Sequence, residues 1–360
     1  MPHLLVAISA HGFGHLAQVA PVVNRLRERL PDLVLTLRTT LPRAKLEERI
    51  DGGFALQSAA DDFGMLQHSA LELDLPASLQ RYKQLHGNWQ QNVDRVVAEL
   101  SAASPDLLLA DVPYLTLAAA HRAGIPSVAL CSLNWASIVE GCLAAEPGVT
   151  AMVGRMREAY NRAEVFFCPA PSMPMPGLTN IRPVGTIATQ AKKRRDELVK
   201  QGMVNPAERL VLVAMGGMDH RLPVERWPQN PTIRYLVPEA WGVQREDVTA
   251  IEASAMHFSD LLASSDAMIT KPGYGIFSEA AVNAVPLLYV RRGNWPEEPY
   301  LIEWLKENAR GQELELGALE RGEHLPLLES LFEQPAAPPV DNDGAEEIAA
   351  YLFDRLRSGC

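Results

Sequence analysis

Two histidines stand within one glycine-rich segment near the start of the chain. His11 and His15 occur in the run HGFGH, shortly after the apolar residues 4–8. Imidazole is the side chain best matched to proton transfer near neutral pH. Because the start of a helix carries partial positive charge, it disfavours a cationic ring and keeps the imidazole available as a base. The segment therefore predicts a general base, although a histidine at a helix start can also serve only as a cap or a packing residue.

A second segment has the composition of an anion site. Lys271 is followed by Gly273 and Gly275 in the run KPGYG, and Glu279 follows about one turn later. Glycines let a ligand approach the backbone closely, and the unpaired N–H groups of a helix start attract an anion. Lysine adds a full charge, and a glutamate can accept hydrogen bonds from a diol. These residues predict a site for a phosphate joined to a sugar, but short glycine motifs are also typical of ordinary strand-to-helix turns.

Both segments lie between a predicted strand and a predicted helix. The first unit is a strand at 4–8, a helix at 16–30 and a strand at 33–37. The second unit is a strand at 267–270, a helix at 276–283 and a strand at 286–290. Strand–helix–strand units of this kind build parallel sheets. Ligands of open α/β sheets bind at the carboxyl ends of the strands, where both segments fall. The predicted fold class is therefore α/β.

Polar side chains follow two other predicted strands. They are Asp111 and Tyr114 after the run 107–110, and Asn134 and Trp135 after the run 127–130. Since parallel strands end at one edge of a sheet, we expect these side chains on the same side as His15. Asp111 could orient the histidine and Trp135 could stack on a sugar or another acceptor, although each is also compatible with a structural role.

The remaining patterns divide the chain into two halves. At 360 residues it is longer than one core usually spans. We predict a first α/β domain at 1–186, a second at 187–335, and within 336–360 a linker and an amphipathic helix that packs back across the domain boundary. The run 164–168 is predicted as the last strand of the first half. The segment 61–90, polar and rich in turn residues, is predicted to be irregular and to cover the cleft or bind an acceptor.

Composition narrows the classes of protein. Lys and Arg total 33 against 44 Asp and Glu, which gives a net charge of −11, and an acidic chain is a poor candidate for nucleic-acid binding. No apolar run reaches the roughly 18 residues that span a bilayer, so we expect membrane contact to be at most peripheral. The first residues lack the basic region of a signal peptide. The four cysteines form no CxxC pair, which argues against structural zinc and favours a reducing cytosol. We expect a cytoplasmic protein.

Two stretches carry a resemblance to a known group of proteins. The residues SAHGFGHLAQVAPVVNRL at 9–26 are similar to the glycine-rich GGH loop and following helix of the muramyl-pentapeptide N-acetylglucosaminyltransferase family and its UDP-glycosyltransferase relatives. The residues SSDAMITKPGYGIFSEAAVNAVPLLYV at 264–290 are similar to the donor motif of the same group. The first stretch also resembles the transferase-like domain that precedes some sugar kinases. The resemblance implies the GT-B fold, in which two Rossmann-like domains with parallel sheets face a central cleft.

The resemblance also implies roles for single residues. His15 matches the histidine that deprotonates the acceptor hydroxyl, and Asp111 joins it as the second predicted catalytic residue. Glu279 matches the glutamate that holds the donor ribose, while Glu297 and Glu298 lie near an Asp-Gln pair that this chain lacks. The predicted donor-binding residues are Gly14, Gly216, Gly217, Met256, His257, Lys271, Gly273, Tyr274, Gly275, Ser278, Glu279, Glu297 and Glu298. The predicted acceptor-binding residues are His11, Phe13, Tyr114, Asn134 and Trp135.

The function implied is a metal-independent, inverting glycosyl transfer. A nucleotide-diphosphate sugar, with UDP or dTDP as the expected carrier, would donate its sugar to a hydroxyl of a small-molecule or lipid-linked acceptor, without a cofactor. Two alternatives stay open. A sugar-nucleotide 2-epimerase-like enzyme of the same fold could enlist Asp111, Glu297 and Glu298 as its acidic groups. A non-catalytic nucleotide-sugar-binding protein would keep the fold and lose the reaction.

Overall fold

The protein forms two parallel β-sheets. The computed structural model describes residues 1–216, 220–335 and 337–358. The first sheet contains β1 His3–Ile8, β2 Val34–Arg38, β3 Ala55–Gln57, β4 Leu107–Asp111, β5 Ser127–Leu130, β6 Phe166–Pro169 and β7 Ile181–Val184. The second contains β8 Arg209–Val213, β9 Ile233–Val237, β10 Val248–Ala250, β11 Ala267–Thr270, β12 Leu287–Tyr289 and β13 Gly311–Glu313. Every pairing between these strands is parallel.

Helices connect the strands and cover the sheets. In the first part of the chain they are α1 Phe13–Arg29, α2 Arg43–Glu47, α3 Leu75–Gly87, α4 Trp89–Ala103, α5 Tyr114–Ala123, α6 Trp135–Leu143 and α7 Val149–Asn161. Later they are α8 Arg195–Lys200, α9 Phe258–Ala263, α10 Tyr274–Val282, α11 Glu298–Asn308, α12 Leu316–Glu320, α13 Leu325–Glu333 and α14 Gly344–Ser358. Within the described residues, no helix has the length and apolarity needed to cross a bilayer.

The order of the strands fixes where a ligand can bind. The first sheet runs β3-β2-β1-β4-β5-β6-β7 and the second runs β10-β9-β8-β11-β12-β13. The strand order reverses between β1 and β4 in one sheet and between β8 and β11 in the other. A crevice opens at the carboxyl ends of the strands at such a reversal. The turns after β1 and β11 therefore carry their histidines, glycines and lysine to the two crevices.

Three details of the predicted secondary structure are wrong. Helix α3 occupies much of the segment predicted to be irregular, and Asp74 caps it by accepting a hydrogen bond from the Ala77 N–H at 2.9 Å. The first sheet ends with β7 and not with the run 164–168, because β7 is an exposed edge strand that includes Pro183 and lacks an apolar run. Helix α1 begins at Phe13, so His15 lies in its first turn and not in a loop.

The last helix joins the two halves of the molecule. After the second sheet, α14 returns to α1 and buries Ile348, Ala349 and Leu352 in the core that α1 shares with the first sheet. Just before α14, Asn342 clamps the chain at Ala188: its Oδ1 accepts from the Ala188 N–H at 2.9 Å, and its Nδ2 donates to the Ala188 carbonyl at 2.6 Å. The chain passes from the first sheet to the second near Ala188 and returns near Asn342, so these two crossings lie side by side.

The chain segments around Gly185 and Gly344 approach each other closely where the chain passes between the sheets. A Cβ added at Gly344 would collide with the carbonyl oxygen of Gly185. We expect Gly344→Ala to lower the free energy of unfolding by about 1–3 kcal/mol, as overpacking against backbone does. Gly154→Ala in α7 is the matched control, because a Cβ there meets no atom within 4 Å, and alanine should add up to about 1 kcal/mol. Urea unfolding measures the free energy of unfolding of both variants. A Gly344→Ala variant as stable as the parent protein would contradict the close approach of the two segments.

Candidate functional site

One cavity lies between the carboxyl ends of the two sheets. It has a volume of ≈ 1110 Å³, slightly above the about 300–1,000 Å³ typical of sites for drug-sized ligands. Residues of both sheets line it. Of the predicted site residues, the lining includes His11, Phe13, Gly14, His15, Gly216, His257, Lys271, Gly273, Tyr274, Gly275, Glu279 and Glu297. The structure therefore brings the first histidine segment and the KPGYG segment to one cavity.

The starts of α1 and α10 meet in this cavity. A Cβ added at Gly275 would lie 3.2 Å from the Ala17 Cβ and 3.5 Å from the Gly14 Cα. In the described structure neither helix start has an acidic residue in its first turn or a side chain that caps it. Both starts therefore present unpaired N–H groups and partial positive charge to the cavity, which favours an anion there.

His15 forms a buried pair with Asp111, which comes from the end of β4. The His15 Nδ1 lies 3.3 Å from Asp111 Oδ1, in hydrogen-bonding geometry, and 3.0 Å from Oδ2, outside that geometry. Since a carboxylate accepts, Nδ1 carries the ring proton and Nε2 is left to accept one. Burial by itself lowers the pKa of His15, but the charge and hydrogen bond of Asp111, with Asp62 and Glu297, more than reverse this and raise it. The carboxylates thus outweigh burial and favour the charged ring, contrary to the expectation that the helix start keeps it uncharged.

His11 lines the cavity but both of its ring nitrogens are engaged. Its Nδ1 lies 3.3 Å from the Phe63 carbonyl, and its Nε2 lies 3.0 Å from the side-chain nitrogen of Gln67. Burial, and then the neighbouring His15, lower the pKa of His11 to about 3. Its ring lies against Trp135 from the first sheet and Trp295 from the second, with centroids 5.2 and 5.6 Å apart. His11 is therefore a neutral packing residue between the two halves.

The segment 61–90, which contacts the His11 ring through Phe63 and Gln67, was predicted to cover the cleft or bind an acceptor. Within it, Asp62 accepts hydrogen bonds from the Ser9 hydroxyl at 2.9 Å and from the Trp135 indole at 2.6 Å. Burial raises the pKa of Asp62 to about 6. Gly64 has a φ of +62°, and a Cβ there would lie 2.5 Å from the His11 Nδ1. The sequence signal that could have identified Asp62 is the adjacent pair of carboxylates at the start of this segment.

The neighbouring carboxylate anchors the same segment from its other side. Asp61 is paired with Arg38 at the end of β2, where Nη2 lies 2.9 Å from Oδ1, and it also accepts from the Thr116 hydroxyl at 2.8 Å. Arg38 and Asp61 are both buried. One carboxylate therefore fixes the segment to the sheet, and the next one positions the tryptophan beneath the histidines.

Three residues predicted to bind an acceptor are buried away from the cavity. Tyr114 is 0% exposed and its hydroxyl lies 3.0 Å from the His86 Nε2. Asn134 caps α6 by accepting from the Ser137 N–H at 2.8 Å. Trp135 is 0% exposed and packs beneath the histidines. The predicted acceptor contacts of these three side chains are therefore wrong, because a strand end can also point into the core. Phe13, by contrast, is 37% exposed and lines the cavity.

Lys271 directly follows β11 of the second sheet. Its ammonium lines the cavity, and among the described residues this group has neither an ion pair nor a hydrogen bond. Burial, and then the charge of Arg292, lower the pKa of Lys271 to about 7. Gly216, with a φ of +88°, lies beside it, since an added Cβ would be 3.5 Å from Nζ. Gly217, also predicted to bind the donor, lies outside the described residues.

Glu279 is held by an arginine of the first half of the chain. Arg49 follows α2, and its Nη1 lies 2.7 Å from Glu279 Oε1, with Glu279 only 2% exposed. Nothing in the sequence predicts this pair, because the two residues are 230 positions apart. A diol that binds Glu279 would therefore share this carboxylate with Arg49 or replace Arg49.

The two glutamates at the start of α11 differ in their surroundings. Glu298 is 0% exposed and accepts from the Arg292 N–H at 2.7 Å and the Arg291 Nε at 2.9 Å, so it is structural and its predicted donor contact is wrong. Glu297 lines the cavity; its Oε1 accepts from Arg292 at 2.8 Å, and its Oε2 has no partner among the described residues. Met256 and Ser278 are buried beside the cavity and are not part of its described lining.

Removing Arg38 tests how the Asp61–Asp62 segment is anchored. Arg38→Met leaves Asp61 buried without its main partner, and we expect the free energy of unfolding to fall by about 3–5 kcal/mol. Arg95→Met is the control, because Arg95 also faces Asp61 but its side chain is 45% exposed, so the loss should be about 1 kcal/mol or less. Denaturant unfolding measures both; similar small losses would show that the buried pair does not anchor the segment.

Sequence comparison finds one relative of known type. No family model matches the sequence. The chain is 28% identical over 372 residues to L-arabinokinase from Arabidopsis thaliana. The match covers 99% of this chain and 35% of the kinase. The chain thus spans roughly a third of the length of that protein.

Solved structures of similar shape identify the fold. The glycotransferase of kitacinnamycin superposes with a TM-score of 0.61 and 17% identity, covering 99% of this chain and 96% of that one. Spinosyn forosaminyltransferase gives a TM-score of 0.60 and 15% identity, covering 100% and 95%. Phytolacca americana UGT2, solved with UDP-2fluoro-glucose and pterostilbene, gives 0.59 and 14%, covering 100% and 95%. With its two parallel sheets around one cavity, the chain has the GT-B fold, and the predicted fold class is confirmed.

Proposed function

We propose that the protein transfers a sugar from a nucleotide-diphosphate sugar to a hydroxyl group of an acceptor. The observation that carries this proposal is that one cavity has an anion-attracting wall and, across from it, a wall with a candidate base. The unpaired Lys271 and the open start of α10 line it from the second sheet, and the His15–Asp111 pair reaches it from the first. A cation and a helix start attract a diphosphate, and a histidine oriented by a carboxylate can accept the proton of a hydroxyl.

The donor is expected to bind along α10. Its diphosphate would contact the N–H groups of Gly273 to Gly275 and the Lys271 ammonium, while its ribose would meet Glu279 near Arg49. UDP or dTDP is the carrier we propose. As the bond to the sugar breaks, negative charge grows on the leaving diphosphate, and preorganised donors stabilise that charge. Lysine and the helix start supply this stabilisation from the protein itself, so the proposed transfer is metal-independent.

The acceptor is expected to bind above the histidine. Its hydroxyl would donate its proton to the His15 Nε2 as the oxygen attacks the anomeric carbon, and attack opposite the leaving diphosphate inverts that carbon. The cavity wall there includes Phe13, Leu133 and Trp295, which suits an acceptor with an apolar part. A small molecule or the head of a lipid-linked acceptor would satisfy this requirement.

The arrangement of the carboxylates favours transfer over epimerisation. A 2-epimerase needs several acidic groups that reach the sugar, and Asp111 was a candidate for one of them. Asp111 and Asp62 are buried and turned toward His15, Ser9 and Trp135. Of the three carboxylates that act on the pKa of His15, only Glu297 belongs to the described lining of the cavity. Near His15, therefore, Glu297 can contact a sugar hydroxyl while the other two carboxylates are turned away, which favours transfer over elimination and re-addition.

Replacing His15 separates catalysis from donor binding. We expect His15→Gln to reduce transfer by about 10²–10⁴-fold, the usual contribution of a general base, while the affinity for the nucleotide stays the same. The assay uses UDP-, dTDP- and GDP-sugars with hydroxyl acceptors, and thermal shift with each nucleotide reports binding. His121→Gln, an exposed histidine in α5, is the control. Transfer by His15→Gln at the parent rate would overturn the assignment, and nucleotide binding without any transfer by the parent protein would favour a binding protein.

Nucleotide affinity should depend on the protonation of Lys271. The charged groups that face Lys271 are Arg292, Glu297 and Glu298, and burial outweighs the two glutamates to give a pKa of about 7 in the free site. A bound diphosphate raises that pKa, so above pH 7 binding takes up a proton and affinity falls, by at most about tenfold per pH unit. Calorimetric titration of UDP between pH 6 and 9 measures the slope.

The matched controls for this dependence are two lysine substitutions. Lys271→Met should weaken UDP binding at pH 6 and remove the slope, whereas Lys200→Met in α8, which does not line the cavity, should keep both the affinity and the slope. The interpretation is wrong if Lys271→Met retains the parent slope.

A further inference from the structure

Three side chains of different chemistry meet at the inner wall of the cavity. They are His15 from α1, Asp111 from the end of β4 and Cys131 just after β5, and all three are buried. Each offers one ligand atom, and the three atoms lie within 4.8 Å of one another. The His15 Nδ1 is 3.0 Å from Asp111 Oδ2 and 3.9 Å from Cys131 Sγ. Glycosyl transfer as proposed above uses the first two residues and leaves the thiol without a role.

These separations fit a tetrahedral metal ion. Zinc lies about 2.0–2.2 Å from nitrogen and oxygen ligands and about 2.3 Å from sulfur, so tetrahedral ligand atoms stand ~3.4–3.6 Å apart. The observed separations of 3.0 and 3.9 Å bracket this range. Small side-chain movements would therefore place all three atoms around one ion.

The Asp111 carboxylate faces both other side chains of the cluster. Its Oδ1 accepts the hydrogen bond from the His15 Nδ1, and its Oδ2 lies 3.0 Å from the same nitrogen. The buried Cys131 thiol also hydrogen-bonds with this carboxylate. A cation bound among the three side chains would take the place of the proton on Nδ1 and of the thiol proton.

The chemistry of the three ligands selects the type of ion. A thiolate and an imidazole favour borderline-soft ions such as Zn²⁺, whereas Mg²⁺ and Ca²⁺ prefer oxygen ligands. A thiolate and a carboxylate together neutralise a divalent charge, so the occupied site would add no net charge to the buried wall. His15 and Cys131 both line the cavity, so an ion can approach the cluster from there.

We propose that His15, Asp111 and Cys131 bind a thiophilic divalent cation such as Zn²⁺. On binding, the Cys131 thiol releases its proton to solvent, and the ring proton of His15 moves from Nδ1 to Nε2 as Nδ1 takes the ion. A ring that carries its proton on Nε2 cannot accept one from a hydroxyl. The ion would therefore inhibit the reaction, a consequence that rests on the proposed function, whereas binding itself does not.

The other thiols of the described chain supply controls. Cys142 in α6 is half-buried and approaches the Asn294 carbonyl, and Cys168 is buried beside Met175. In the described part of the chain, no other group of three potential ligands with this spacing occurs. A Cys142→Ser, Cys360→Ser variant removes two of the four cysteines in the sequence and keeps Cys131 and Cys168.

The test is a titration of that metal-free, tag-free variant with Cd²⁺, followed by the ultraviolet charge-transfer absorbance of a cadmium–thiolate bond. We expect saturation at a single ion per chain and competition by Zn²⁺. Adding Cys131→Ser should abolish the absorbance and weaken Zn²⁺ binding by more than the about 10–100-fold typical of residues that only support ligands. Adding Cys168→Ser instead should leave both unchanged, and circular dichroism and the thermal midpoint establish that each variant is folded.

Two results would overturn the site: an absorbance that persists after Cys131→Ser, or no absorbance in the starting variant at stoichiometric Cd²⁺. His15→Gln supplies a second measurement, since it should weaken Zn²⁺ binding without removing the thiol. A cadmium–thiolate band in a protein that shows no glycosyl transfer would refute the proposed function and keep the metal site. Transfer that Zn²⁺ inhibits equally before and after Cys131→Ser would refute the site and keep the function.

Discussion

The contact between the starts of α1 and α10 is the constraint on which the cavity depends. Gly14, Ala17 and Gly275 let the two helix starts approach to van der Waals distance. Each helix follows a strand at the point where the strand order of its sheet reverses, so the contact brings both crevices into one cavity. It also places two partial positive charges together, with Lys271 nearby, and no acidic side chain lies in either first turn. An anion in the cavity relieves their repulsion.

Buried carboxylates organise the opposite wall. Asp111 orients His15, Asp62 holds the Trp135 indole beneath the histidine rings, and Asp61 fixes the same segment to Arg38. Each carboxylate has a hydrogen-bond donor, which limits the cost of burying its charge. The tryptophan and His11 then form a rigid support for His15. Contacts within the protein itself therefore hold this wall in place.

Contacts across the cavity couple the two halves of the molecule. Arg49 binds Glu279, Trp295 packs on His11, and α14 returns from the second sheet to α1. These contacts lie at widely separated positions around the cavity. A ligand that binds Glu279 changes its pairing with Arg49. A ligand that displaces Trp295 removes a packing contact from His11. Under the proposed function, donor and acceptor sites on separate sheets would influence one another by this route.

The sequence by itself determined the two α/β halves and the position of their ligand segments. Periodicity and glycine punctuation are local signals, so the units around His15 and Lys271, and the edge at which they fall, were predictable. The GT-B fold also followed from a resemblance carried by the same two stretches. Helix α3 and the edge strand β7 were missed because their apolar faces are too narrow or too exposed to give a periodic signal.

Only the tertiary structure decided which polar side chains face the cavity. Tyr114, Asn134 and Trp135 lie at strand ends, yet packing turns them into the core, while Asp62 and Arg49 reach the site from segments without a motif. Glu297 and Glu298 are adjacent in sequence and differ completely in exposure to the cavity. The physical reason is that a residue's type and local spacing fix its chemistry, whereas the direction of its side chain depends on neighbours that are distant along the chain.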